Sequence, residues 1–149
     1  MIPKGAIICI VLGVVGSGVV GIFFAEIANE APTLVYVQGP SLSVITEKTN
    51  FRLGDPINIK IVNSGTVPLT FSDASYGLKI KQLDGIVFYS PVSAQVISVL
   101  EPKEEKTFVW NQTKSDGSKI IEGRYKIVSK TDSTSGNVLE KSITINILK

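Results

Sequence analysis

Histidine is missing from this 149-residue chain, and cysteine and methionine each occur once. Without His, no Ser-His-Asp triad, Cys-His dyad or His-ligated zinc, copper or haem can be built from its own residues. Cys9 has no intrachain partner for a disulfide and supplies no thiolate cluster. The lone methionine is Met1, so no internal Met is left as an axial ligand. Aromatics make up 7% of the residues and do not interleave with a basic run, which argues against a nucleic-acid surface. The net charge of +2 creates no field that would gather a polyanion over the whole molecule. No Gly-rich loop follows a strand and opens a helix, so nucleotide binding lacks a motif. These absences point away from an enzyme and imply no cofactor and no metal.

What is present in excess is apolar residues, at 44%. Residues 5–25, GAIICIVLGVVGSGVVGIFFA, carry no charge, and all 15 basic and 13 acidic side chains lie outside this run. As a helix it would be about 32 Å long, enough to cross a bilayer core of roughly 30 Å. Lys4 precedes it, and Glu26 and Glu30 follow, so the positive-inside rule expects a cytoplasmic N-terminus and an extracytoplasmic C-terminal part. The division read from this is a stub and single transmembrane helix over residues 1–28, then an outward domain over 29–149. The rival reading is a cleaved secretory signal. Its apolar core is usually shorter, and the available exits at Ala28 and Ala31 place Glu26 or Asn29 where a small residue is preferred. A lipoprotein signal would need its cysteine after the apolar run, whereas Cys9 lies near its start. A prepilin-type signal finds Lys4-Gly5 but has Ile10 in place of the usual glutamate.

Within the run, Gly5, Cys9, Gly13, Ser17, Gly21 and Ala25 recur at steps of four, and all are small. Such a row forms a shallow ridge that permits close approach of a second helix, either another copy of the chain or a subunit of a larger membrane complex. The plain alternative is that glycine is simply frequent in membrane helices.

Beyond Pro32 the pattern changes to short β-branched or alternating runs between turn residues. Strands are predicted over residues 33–37, 42–46, 57–62, 69–71, 78–82, 86–89, 96–100, 107–110, 124–129 and 138–148. Asp84-Gly85 is a strong hairpin signal. The core is predicted from Ile57, Ile59, Ile61, Leu69, Phe71, Ile80, Phe108, Trp110, Tyr125 and Ile127. Nine or ten strands at this spacing, with no further helix, predict an all-β ectodomain: an antiparallel immunoglobulin-like β-sandwich. The acidic residues Asp84, Glu104, Glu105, Asp116, Glu122 and Asp132 fall in predicted turns. They read as solvated loop charge rather than as paired catalytic carboxylates. Residues 132–136 lack the acidic ligands and glycine placement of a calcium loop. Asn111-Gln112-Thr113 is an N-glycosylation sequon in a predicted exposed loop, which makes Asn111 a modification candidate on an outward domain.

Leu53-Gly54-Asp55-Pro56-Ile57-Asn58-Ile59-Lys60-Ile61-Val62-Asn63, then Leu69-Thr70-Phe71, Leu100-Glu101-Pro102, Trp110 and Gly123-Arg124-Tyr125-Lys126-Ile127, follow one another in a suggestive order. This order resembles the BsuPI-like family of intracellular proteinase inhibitors across residues 51–129. The resemblance implies a prokaryotic immunoglobulin-like domain and, through the family name, protease inhibition. A membrane anchor and an outward domain depart from an intracellular inhibitor, so no inhibitory loop is carried over, although residues 89–95 would be the candidate segment. Three roles remain open: an accessory subunit of a membrane complex, a free-standing surface binding or adhesion module that contacts a protein or polymer, and a tethered proteinase inhibitor. For an uncleaved anchor, intact-mass spectrometry of the chain from native membranes is expected to return the full 16.0 kDa. A mature species beginning near Ala28 or Ala31 would instead identify a signal peptide.

Overall fold

A computed structural model describes residues 33–132 and 138–149. The transmembrane prediction, with its row from Gly5 to Ala25, lies outside the described residues, as does most of the 132–136 loop. Among the described residues no helix is long and apolar enough to cross a membrane.

The described part is all-β. Its ten strands are β1 (Leu42–Thr46), β2 (Asn50–Arg52), β3 (Ile57–Asn63), β4 (Leu69–Phe71), β5 (Lys79–Gln82), β6 (Val87–Tyr89), β7 (Ser98–Leu100), β8 (Glu105–Trp110), β9 (Gly123–Lys130) and β10 (Glu140–Leu148). They form a three-stranded sheet, β1-β3-β8, a five-stranded sheet, β2-β10-β9-β5-β6, and a small β4-β7 pair. β1 packs against β9 and β10 of the larger sheet, so the arrangement is sandwich-like. All pairings are antiparallel except β2 with β10, where Asn50, Phe51 and Arg52 lie beside Asn146, Ile147 and Leu148 in parallel.

The period-two pattern explains the core. Ile57, Ile59 and Ile61 alternate with exposed or half-exposed Asn58 and Lys60 on β3, while Tyr125 and Ile127 alternate with Arg124 and Lys126 on β9. Each set turns one face of its strand inward. Leu42, Val44, Phe51, Leu69, Phe71, Leu78, Ile80, Leu100, Trp110, Ile120, Ile145 and Ile147 complete the cluster. Nine of the ten predicted core residues are buried; Phe108 is half-buried and packs against the cluster from its edge. The hairpin at Asp84-Gly85 forms as predicted. Gly85 has φ +93°, the Asp84 carboxylate accepts from the Ile86 N–H at 3.0 Å, and Gln82 N–H donates to Ile86 O at 2.9 Å.

Two predictions need correction. Residues 33–37 are not a strand: Val35, Tyr36 and Val37 are exposed, and the segment's cross-chain tie is a bond from Val37 N–H to Ser64 O. Among the described residues no strand pairs with this segment, so its β-branched character has no ladder to join. Conversely, β2 was missed, because its pairing partner lies near the opposite end of the chain.

Two buried amides fix the turns between the sheets. Asn63 donates to Val67 O and Leu100 O, both at 2.8 Å, and accepts from Gly65 N–H at 3.0 Å. Gln112, with φ +56°, donates to Arg52 O at 2.8 Å and Asp55 O at 2.9 Å, and accepts from Gly54 N–H at 2.8 Å. The end of β8 is thereby clamped onto the β2–β3 turn. Truncating either amide strips three main-chain groups of their partner, at about 1 kcal/mol or more each. Asn63→Ala and Gln112→Ala are each expected to lower unfolding free energy by roughly 3 kcal/mol in chemical denaturation, while exposed Asn111→Ala stays within about 0.5 kcal/mol of the parent.

Candidate interaction surfaces

Three surface regions collect side chains that can contact another molecule. The first is the connection from β6 to β7. Val92, Val96, Ile97 and Val99 are exposed within eight residues, Val92 completely and Ile97 at 74%. The segment is anchored where Ala74 N–H donates to Ala94 O, and Val96 N–H turns back to the same oxygen. Residues 96 and 97, predicted to belong to a strand, precede the short β7 and leave their side chains outside the core.

The second is the outer face of the five-stranded sheet. Because Ile80 and Ile127 point inward, their neighbours Lys81 and Lys126 point outward, and these two lysines are direct cross-strand partners. Lys79, Arg124 and Lys130 share that face. At one end Asp73, Asp132 and Glu140 line the same depression as Lys79, Lys81 and Lys130, and Glu140 lies directly opposite Lys130. Hydrogen bonding by the Ser75 hydroxyl, opposed by partial burial, holds the Asp73 carboxyl below the usual aspartate value, and Lys79 contributes in the same direction.

The third region is a cleft of about 190 Å³ between β6, the start of β9 and the loop after β8. Lys114, Lys119 and Arg124 line it with a single carboxylate, Glu122, over Phe88 and Tyr125. The Lys114 ammonium sits 5.1 Å from the centre of the Phe88 ring. Tyr125 supports the floor: its hydroxyl donates to Ile121 O at 2.8 Å, and its ring meets Trp110 edge-on, with centroids 6.0 Å apart. Burial pushes the Tyr125 phenol above its ordinary value of 10.0, with the Ile121 bond opposing.

The acidic residues singled out from the sequence do not converge. Asp84 and Asp116 cap their own turns, Glu104 accepts from Glu101 N–H at 2.8 Å, and Glu105 pairs with Lys60 at 2.9 Å. Among the described residues no group of three His, Cys, Asp or Glu is placed to hold a metal ion. Asn111 is exposed at the end of β8, next to buried Gln112. The cationic face escaped sequence reasoning because its members come from strands joined only by register.

No protein-family model matches the sequence, and no curated protein matches it. Among solved structures, the chain is similar to the sporulation control protein Spo0M from Bacillus subtilis, at 16% identity over 74% of this chain and 50% of that one, with a TM-score of 0.44. A β-glucosidase from Listeria innocua in complex with glucose aligns at 15% identity over 72% of this chain and 16% of that one, with a TM-score of 0.34. The chain therefore spans half of Spo0M and a small part of the glucosidase, and at these scores neither likeness carries an argument about function.

A neutral, buried Tyr125 stabilises the fold in full below the unfolded-state value of 10.0, and that contribution is lost as pH rises toward the higher folded-state value. Tyr125→Phe is expected to cost about 1 kcal/mol at neutral pH, from the lost bond to Ile121. The difference between parent and variant should shrink on titration above pH 10. A constant difference across that range would contradict this role.

Proposed function

We propose that this chain is a non-catalytic accessory or structural subunit of a membrane protein complex, with a single transmembrane helix and an outward-facing immunoglobulin-like interaction domain. The observation that carries the interaction role is the exposed aliphatic segment at Val92, Val96, Ile97 and Val99. Among the described residues every buried side-chain nitrogen and oxygen has a hydrogen-bond partner, so the fold has satisfied its interior and still leaves these side chains in water. Exposed apolar side chains also occur elsewhere on the domain, but four of them within eight residues favour this segment as a contact site for a protein partner. Membrane placement rests on the uncharged run of residues 5–25, and partner choice in the bilayer on its row of small residues.

The immunoglobulin-like assignment draws on topology. β1-β3-β8 faces β2-β10-β9-β5-β6, and the first edge is divided, β1 joining β3 and β2 joining β10. Tyr125 near the start of β9, bonded to the main chain four residues upstream, has the form of a tyrosine corner. The BsuPI-like resemblance agrees with this fold. Exposure of residues 92 and 94–97 also favours a second reading, a tethered proteinase inhibitor presenting that segment.

Solubilising native membranes in mild detergent and purifying through a C-terminal tag is expected to yield a high-mass assembly with stoichiometric partners. Gly13→Leu with Gly21→Leu should weaken that association by blocking close helix approach. A solitary monomer would overturn the subunit reading. Inhibition of a serine protease by the detergent-solubilised chain, abolished by Val92→Asp, would favour the inhibitor.

A further inference from the structure

We propose that Asn111 carries an N-linked saccharide, transferred to it from a lipid-linked sugar phosphate on the outer side of the membrane. The proposal rests on the outward placement of the domain and goes beyond it by assigning a covalent modification site.

The chain has seven asparagines, and only Asn111 opens an Asn-X-Ser/Thr pattern, as Asn111-Gln112-Thr113. The fold and the motif use different parts of these three residues. Gln112 is buried, and its amide makes the three main-chain bonds that hold the end of β8 to the β2–β3 turn. The Trp110 indole N–H donates to Thr113 O at 2.7 Å and fixes the main chain from the core side. A transferase reads neither group; it needs the asparagine amide and the hydroxyl two residues further on. Neither the Asn111 amide nor the Thr113 hydroxyl is hydrogen-bonded to another described residue.

Asparagine in a turn usually has a structural reason: its side chain closes the turn, or its backbone takes a positive φ. Here the positive φ falls on Gln112, at +56°, and the Asn111 side chain closes no turn. Its setting leaves room for a saccharide. Trp110 turns into the core, and Asn111, next along the chain, is exposed. β8 is the outer strand of the β1-β3-β8 sheet, and among the described residues no strand pairs with its free side. Val109, two residues before Asn111, is likewise exposed. A saccharide on Asn111 therefore extends into solvent beside an open sheet edge and displaces no packed group.

In the transfer, Asn111 Nδ2 attacks the anomeric carbon of the donor sugar. One C–N bond forms, and the C–O bond to phosphate breaks with its electron pair leaving on the lipid phosphate. One amide proton passes to a base of the transferase. The product keeps the polypeptide backbone intact and adds a neutral, hydrophilic group.

The test uses the full chain, purified through a C-terminal tag from its native membranes and digested with trypsin. Cleavage after Lys106 and Lys114 releases residues 107–114, which hold the whole sequon. This peptide is expected to carry a saccharide mass, with fragment ions placing it on Asn111. On the intact chain that mass adds to the 16.0 kDa of the polypeptide. Asn111→Gln and Thr113→Ala are each expected to abolish the shift, whereas Thr113→Ser, which restores the hydroxyl, retains it. Placement is read separately, from labelling of Lys141→Cys, exposed on β10, by a membrane-impermeant maleimide on intact cells in a Cys9→Ser background. External labelling with an unmodified 107–114 peptide would overturn the proposal and leave the outward placement standing. No labelling and an unmodified peptide would overturn both. A saccharide that persists in Asn111→Gln would lie on a hydroxyl and overturn the assignment to Asn111.

Discussion

The division of one short stretch of chain between two sheets is the constraint on which this sandwich depends. Residues 42–46 pair with β3, and only three residues later 50–52 pair with β10. A linker that short leaves little freedom in how the two sheets can face each other. It brings the inward side chains of β3 and β10 onto the same core, where Ile57, Ile59, Ile61, Ile145 and Ile147 are all buried. Gln112 reinforces this strap from the far side, because its amide bonds to Arg52 and Asp55, the residues at which the chain leaves β2 for β3. The edge that links the sheets is held covalently along one path and by buried hydrogen bonds along another.

That constraint explains why polar residues sit so deep in an otherwise aliphatic interior. Where a chain changes sheets, main-chain groups leave their ladders and need partners elsewhere. Asn63 and Gln112 provide them, and so does Ser129, whose hydroxyl donates to Tyr76 O at 2.7 Å. Tyr76 and Gly77 both have positive φ there, and a Cβ on Gly77 would meet Lys130 O at 2.0 Å. β9 and the turn before β5 approach so closely that only glycine fits. This contact seats β5 beside β9, and with it the register that brings Lys81 to Lys126.

Features set by nearby residues were legible in the sequence. Alternation on β3 and β9, the Asp84-Gly85 turn and the aromatic core positions each depend on spacing within a strand or a hairpin. Features set by distant pairing were not. Asn50–Arg52 offers one apolar residue, Phe51, and is a strand only because β10 runs beside it. Residues 33–37 carry a better β pattern and form no strand, because among the described residues no second strand pairs with them to complete a ladder. Gln112 drew notice only as the middle of a sequon, although its side chain is among the most connected in the fold. The cationic face was invisible for the same reason: Lys81 and Lys126 are 45 positions apart, and a net charge near zero conceals their meeting.

The lysines of that face also do something charge alone does not describe. Val128 points outward between them yet is only 3% exposed, and it lines the same depression as Lys79, Lys81 and Lys130. Lysine stems can lie over an apolar side chain while their ammonium groups stay in water, and Lys79, Lys81 and Lys130 border Val128 in that depression. Packing therefore gives the stems a structural reason to be there, but it does not require that they end in like charges. Met or Gln would cover Val128 as well, without repulsion between the pair at Lys81 and Lys126. Asp73, Asp132 and Glu140 share the depression of Lys79, Lys81 and Lys130 and offset their charge within the domain, a looser arrangement than the direct pairing of Glu105 with Lys60 on the opposite sheet.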